Sequence, residues 1–185
     1  MIHITALWLP IVLSAVAVFI ASSILQMFVG HHWNDMRSVP QQQALLDTLR
    51  GMNLPVGDYM MPRPASRAAA RDPAFIEQIN KGTLARLQVL PGGMAIGKSL
   101  AQWFVYLLVV GWVCAGAAVH ALPAGARYLE VFHLVAVVAF AAYALSLPQA
   151  SIWYGRSWRM TVMTMIDGLI YALLTAGMFG WLWPH

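Results

Sequence analysis

Charge is what this sequence has least of. Only 10% of its 185 residues are Asp, Glu, Lys or Arg, against about 25% in an ordinary soluble domain. The hydrophobic residues, 60% of the chain, are gathered into long runs. The two facts together exclude a soluble core and point to membrane spans. Cysteine is nearly absent too. The single Cys114 excludes an intrachain disulfide, and within an apolar run it reads as a small buried residue. No nucleophile–base motif, phosphate loop, CxxC pair or haem-attachment sequence is present. The net charge of +4 does not indicate nucleic acid, because the basic residues are spread thinly along polar loops and form no dense run. The opening "MIHITALWLP" has no Lys or Arg. It therefore lacks the positive region of a cleavable signal and reads as a retained first span.

What is there is a set of four apolar runs. They cover 4–29, about 100–121, about 128–147 and about 160–183. Each has about 20 residues, enough to cross a hydrocarbon layer of about 30 Å as a helix. "LPAGAR" joins the second and third runs as a tight turn, which makes them an antiparallel hairpin. "SLPQASIWYGRSWR" joins the third and fourth, with aromatics that suit a membrane–water boundary. The fold class is an all-α membrane protein, with four transmembrane helices and a small, partly structured cytoplasmic insert. The divisions are 4–29 for the first helix, 30–99 for the insert and 100–185 for the remaining three. Ten of the 11 Lys and Arg fall in the insert and the third loop, leaving only Arg127 on the other side. The positive-inside rule then places the insert in the cytoplasm and both termini outside.

The insert has its own pattern. Residues 40–50 read as a helix, with Ser38 near its start, Gly51 past its end and an apolar face of Leu45, Leu46, Leu49 and Met52. "RPASRAAAR" reads as irregular chain or a weak basic helix near acidic lipid. Asp72-Pro73 opens a second short helix carrying Phe75, Ile76 and Ile79, ended by Gly82. "TLARLQVL" is a candidate strand closed by a "PGG" turn. These pieces are too small for an independent domain, and are expected to pack on the ends of the spans or on a partner.

The orientation sorts the polar residues into two layers. His31, His32, Asp35, Arg156, Arg159 and Asp167 fall on the inner side. His3, His120, Arg127, Glu130, His133 and His185 fall on the outer side. Asp167 stands out, about seven residues or ~10 Å into the fourth run. An ionisable group within a span is costly and usually turns inward to a partner. One reading makes Asp167 a proton or cation site with His31 or His32. The other makes it a structural lock, hydrogen-bonded to Thr164, a tryptophan NH, or a snorkelling Arg156 or Arg159. Glu130 and His133 share a helix face in the Glu-x-x-His spacing of di-metal bundles, and His120 would close a three-ligand metal site across the hairpin. The chain has only one such motif, so a polar boundary cluster is the competing reading. In "HHWNDMR", His31 and Asp35 share a face at i, i+4 and would supply two metal ligands, although Trp33 marks this stretch as membrane edge. No cofactor is expected beyond that transition metal.

The fourth run carries a stripe of Thr164, Gly168, Ala172, Ala176 and Gly180. Small residues every fourth position let two helices approach closely, either inside the bundle or against another subunit. Ser14, Ser22 and Gln26 give the first run a polar face suited to interhelical hydrogen bonds.

At "HHWNDMRSVPQQQALLDTLRGMNLPVGDYMMPRP" and "IWYGRSWRMTVMTMIDGLIYALLTAGMFGWLWP" the chain resembles a family of small, uncharacterised bacterial inner-membrane proteins. The shared features are a Trp/His-rich span boundary, a helix, a "PxGxY" turn and a closing "DG…Y…TAG.FGWLWP" helix. The resemblance implies a four-span, multi-pass protein of the bacterial inner membrane and carries over no catalytic residue. With packing signals outnumbering catalytic ones, the expected function is a non-enzymatic membrane subunit or assembly factor. Its partners would be membrane lipid, other membrane subunits or a second copy, with no nucleic acid. The alternatives are a small ion- or proton-coupled transporter using Asp167 and the nearby histidines, and a metal-binding membrane protein using Glu130, His133 and His120.

Overall fold

The computed structural model describes residues 2–30, 32–93 and 95–184, with backbone only at Asn34. Among them are four helical stretches long and apolar enough to cross a membrane: Ile4–Val29, Ile96–Ala121, Tyr128–Tyr154 and Trp158–Trp181. The protein is therefore a multi-pass, all-α membrane protein. The first stretch is a 3-10 turn followed by α1 (Trp8–Ile24) and a π-helical turn, Leu25–Val29. It tolerates Pro10 because that residue sits in the first turn, where its missing N–H has no partner to lose. Gly30, with φ of 60°, ends the stretch in the left-handed conformation that glycine adopts without a Cβ penalty.

Four elements follow in a separate compact unit, residues 38–94. They are α2 (Gln42–Gly51), β1 (Gly57–Met61), α3 (Pro73–Asn80) and β2 (Ala85–Val89). β1 and β2 pair antiparallel, with Gly57 opposite Val89 and Met61 opposite Ala85. α3 starts as its sequence requires: the Asp72 carboxylate accepts the Ala74 N–H at 2.8 Å, and Pro73 takes the first helical position. β2 lies within the expected strand, whereas β1 falls in a stretch for which the sequence offered no element. Residues 30–37 and 95–99, read from sequence with the insert, group with the spans.

The remaining helices are α4 (Ile96–Ala121), α5 (Tyr128–Phe140), α6 (Pro148–Tyr154) and α7 (Trp158–Trp181). A π-helical turn, Ala141–Leu145, carries α5 on towards α6. The third span thus runs to Tyr154, seven residues beyond its expected end at 147. Pro148 does not stop it, because at the start of α6 a proline has no intrahelical bond to lose. Gly155, again left-handed with φ of 67°, makes the break before α7.

α7 packs against α5 and α1, and α1 against α4. The small-residue stripe is used inside the chain. A Cβ on Gly168 would lie 2.9 Å from the Ala144 Cβ, and one on Gly180 would lie 2.8 Å from the Tyr128 ring. Ala172 and Ala176 between them are fully buried. At one end of the bundle the chain is clasped by two hydrogen bonds. Trp183 Nε1 donates to the Pro123 carbonyl at 3.0 Å, and Gly125 N–H to the Pro184 carbonyl at 2.9 Å. The candidate site lies at the opposite end, where the first span finishes and α7 begins.

Candidate functional site

Beyond Gly30 the chain makes a 3-10 turn over Trp33–Asp35. This turn sets His32 and Asp35 three residues apart and brings the imidazole over α7. His32 Nδ1 lies 2.6 Å from Asp35 Oδ2, and His32 Nε2 lies 2.9 Å from Asp167 Oδ2. Asp167 follows the start of α7 at Trp158 by nine residues, roughly 14 Å along the axis. Its side chain is 3% exposed and that of Asp35 is 1% exposed. Gln26, in the π-helical turn that ends the first span, adds its amide N–H to Asp167 Oδ2 at 3.4 Å. π-Helical turns inside helices often accompany functional sites.

The two loop arginines flank this trio. Arg159 Nη1 lies 3.3 Å from Asp35 Oδ1, an ion pair without hydrogen-bond alignment. Arg156 Nη2 donates to Thr164 Oγ1 at 3.2 Å, and Thr164 donates in turn to the Met160 carbonyl at 2.7 Å. The third and fourth spans are tied together just below, by a 2.7 Å hydrogen bond between the buried hydroxyls of Ser151 and Thr161.

The chemistry follows from the ring's two nitrogens. A neutral imidazole has one N–H and one lone pair, so it would turn a lone pair towards one of the two carboxylates. Only the doubly protonated ring donates to both. Burial works against the charged ring. The hydrogen bonds to Asp167 and Asp35, with their negative charge, outweigh burial and raise the His32 pKa above its ordinary value. The trio is therefore a place where the ring is favoured in its doubly protonated form, held between two carboxylates. It is poorly arranged for a metal ion. The carboxylates lie on opposite sides of the imidazole instead of converging, and both ring nitrogens are in use.

A cavity of about 300 Å³ opens beside Asp167, lined also by Ser22, Gln26, Trp103, Thr164 and Tyr171. Trp103 Nε1 donates to Ser22 Oγ at 2.9 Å, linking α4 to α1. The Trp103 ring meets Tyr171 edge-on at 6.0 Å and stacks on Tyr106 at 5.4 Å. Of these residues the sequence singled out Asp167, Thr164, Ser22 and Gln26. Trp103 and Tyr171 were missed, because aromatics in a span are ordinary packing residues until a cavity forms beside them.

The other candidates lie elsewhere. Glu130 is held by Arg127: its Oε2 accepts the Arg127 N–H at 3.0 Å, and its Oε1 accepts Nε at 2.9 Å and Nη2 at 2.6 Å. His120 Nδ1 lies 2.7 Å from the Gly116 carbonyl, and His133 packs edge-on to Phe132. All three are exposed. Among the described residues no group of three His, Cys, Asp or Glu is arranged to hold a metal ion. His31 and His185 lie outside the described residues.

No known protein family, curated protein or solved structure matches the chain. The family resemblance drawn above rests on the quoted residues alone.

Proposed function

We propose that the protein is a small proton-coupled transporter in which His32 and Asp167 carry the coupled proton. The observation that carries this reading is the imidazole of His32 bridging a buried carboxylate of α7 and a buried carboxylate of the boundary turn. Ionisable groups are kept within spans at a cost, and commonly mark proton or ion pathways. The adjoining cavity gives a solute a place beside Asp167. The small-residue stripe, which suggested docking on another subunit, is occupied by contacts within the chain and lends that reading no support. The basic bias of the insert and third loop supports a cytoplasmic His32 end, and the family resemblance supports a bacterial inner membrane.

Reconstituted vesicles with a trapped pH dye provide the test. Proton entry after an acid jump is followed alone and with a panel of small charged solutes. The expected result is flux above that of protein-free vesicles in at least one condition, falling at least tenfold in Asp167→Asn and in His32→Gln. Flux equal to empty vesicles throughout, or unchanged in both variants, overturns the proposal.

A second reading, a non-enzymatic subunit or assembly factor, draws on a different observation. In the unit of residues 38–94 no described residue is buried, and apolar side chains such as Leu45 and Ile76 are exposed. A defined hetero-complex in native mass spectrometry after gentle extraction supports that reading. A clean homo-oligomer with no foreign partner contradicts it.

A further inference from the structure

Among the described residues, the cavity beside Asp167 has one charged lining residue, that carboxylate, set among hydroxyls, the Gln26 amide and the rings of Trp103 and Tyr171. Its two aliphatic hydroxyls have their hydrogens committed elsewhere. Ser22 Oγ donates to the Phe19 carbonyl at 2.9 Å while accepting from Trp103. Thr164 Oγ1 donates to the Met160 carbonyl while accepting from Arg156. The Ser22 and Thr164 oxygens therefore have only lone pairs left to offer. The rings of Trp103 and Tyr171 add negative faces that attract cations. All of this favours a positive ligand.

Size chooses among cations. A bare metal ion wants about six or more oxygens at roughly 2.0–2.6 Å. A space of about 300 Å³ with aromatic walls is instead at the lower end of the range for small organic ligands. We infer that this cavity binds a small organic ammonium ion, with its nitrogen at Asp167 and its apolar part against Trp103 and Tyr171.

The inference rests on the proton reading in one respect: the amine is the solute exchanged for the His32 proton. His32 is faced by Asp35 from its own turn and by Asp167 from α7. Arg159 stands behind Asp35, and Arg156 reaches the cavity rim through Thr164. With the ring doubly protonated, His32 donates to Asp167. With the ring neutral, its positive charge beside Asp167 is gone, and an ammonium ion can supply that charge instead. Proton and ammonium thus compete for one carboxylate, and binding of the amine releases a proton.

Isothermal titration calorimetry on the full chain in lipid nanodiscs tests this with two probes of nearly equal shape, phenethylamine and neutral 2-phenylethanol. The amine should bind at least tenfold more tightly. Asp167→Asn should abolish the difference, and Trp103→Leu should weaken amine binding at least fivefold. Below the His32 midpoint, the heat should depend on buffer ionisation enthalpy, as release of up to one proton per amine requires. The probe comparison needs no variant, so it stands even if Asp167→Asn fails to fold. Equal affinities, or no amine binding, overturn the inference. Amine binding without buffer-dependent heat overturns the exchange. NMR titration of His32 without amine separates the two claims. A raised midpoint with no amine preference sinks the ligand and leaves the proton site. An ordinary midpoint with amine preference does the reverse.

Discussion

Asp35 and Asp167 lie on the two sides of one imidazole. Asp35 Oδ2 is 2.6 Å from His32 Nδ1, and Asp167 Oδ2 is 2.9 Å from Nε2. One carboxylate comes from the boundary turn and the other from deep in a span, so the ring joins a site near the membrane surface to one within it. Neither pairing alone would need His32 charged. Holding both does.

The linkage has a definite sign. A histidine whose folded pKa is raised contributes stability that is fully present below its ordinary pKa, about 6.5, and is lost as pH rises through the folded value. The thermal midpoint of the wild type should therefore fall between pH 6 and pH 9 by more than that of His32→Gln. At pH 6, His32→Gln should cost about 3 kcal/mol, because it leaves two buried carboxylates facing a gap. Denaturation followed by circular dichroism at each pH checks both.

The two arginines should matter less than their charges suggest. The Arg159 side chain is 51% exposed, and an ion pair so open to solvent is worth at most about 1 kcal/mol. Arg159→Gln should leave the melting temperature nearly unchanged. Asp35→Asn, which removes a buried negative charge from beside His32, should shift the His32 titration downward. A larger stability loss from Arg159→Gln than from Asp35→Asn would contradict this ranking.

Packing within the chain predicts the response to bulk. A side chain at Gly168 meets the short, rigid Ala144 and Tyr143 backbone, and one at Gly180 meets the Tyr128 ring and backbone. Gly168→Leu and Gly180→Leu should each destabilise the bundle by at least about 1–3 kcal/mol, the usual cost of overpacking. Gly97, which has open space around its Cβ position, is the control. Gly97→Leu should be neutral in the same unfolding assay.

In the unit of residues 38–94, Asp72 caps α3. Asp72→Ala should cost about 1 kcal/mol, and should show first as faster amide hydrogen exchange at Ala74 and Phe75, with the spans unaffected.

The spans were legible because hydropathy over about 20 residues needs no knowledge of neighbours. So was the anomaly of Asp167, and so was the choice of His31 or His32 as its neighbour. The choice between the two histidines was not, because it turns on where a helix stops. Gly30 carried that signal: a glycine after an apolar run is a common helix end, and the chain turns just beyond it. The pairing of Arg159 with Asp35 was not foreseen, because only the turn after Gly30 brings Asp35 over α7. Tyr154 closes the third span for want of a stop signal before Gly155. β1 had no local signature strong enough to find it. It is five residues long and exists through pairing with β2, across an intervening helix.

The shared proton of His32 and Asp167 is the centre of this account, and NMR titration of the ¹⁵N-labelled imidazole in lipid nanodiscs addresses it most directly. The wild-type His32 resonances, identified by their loss in His32→Gln, should report a doubly protonated ring that persists above the ordinary histidine range. In Asp167→Asn the midpoint should fall, since one of the two carboxylates that hold the proton is gone. An ordinary midpoint in the wild type, unmoved by Asp167→Asn, would contradict the account.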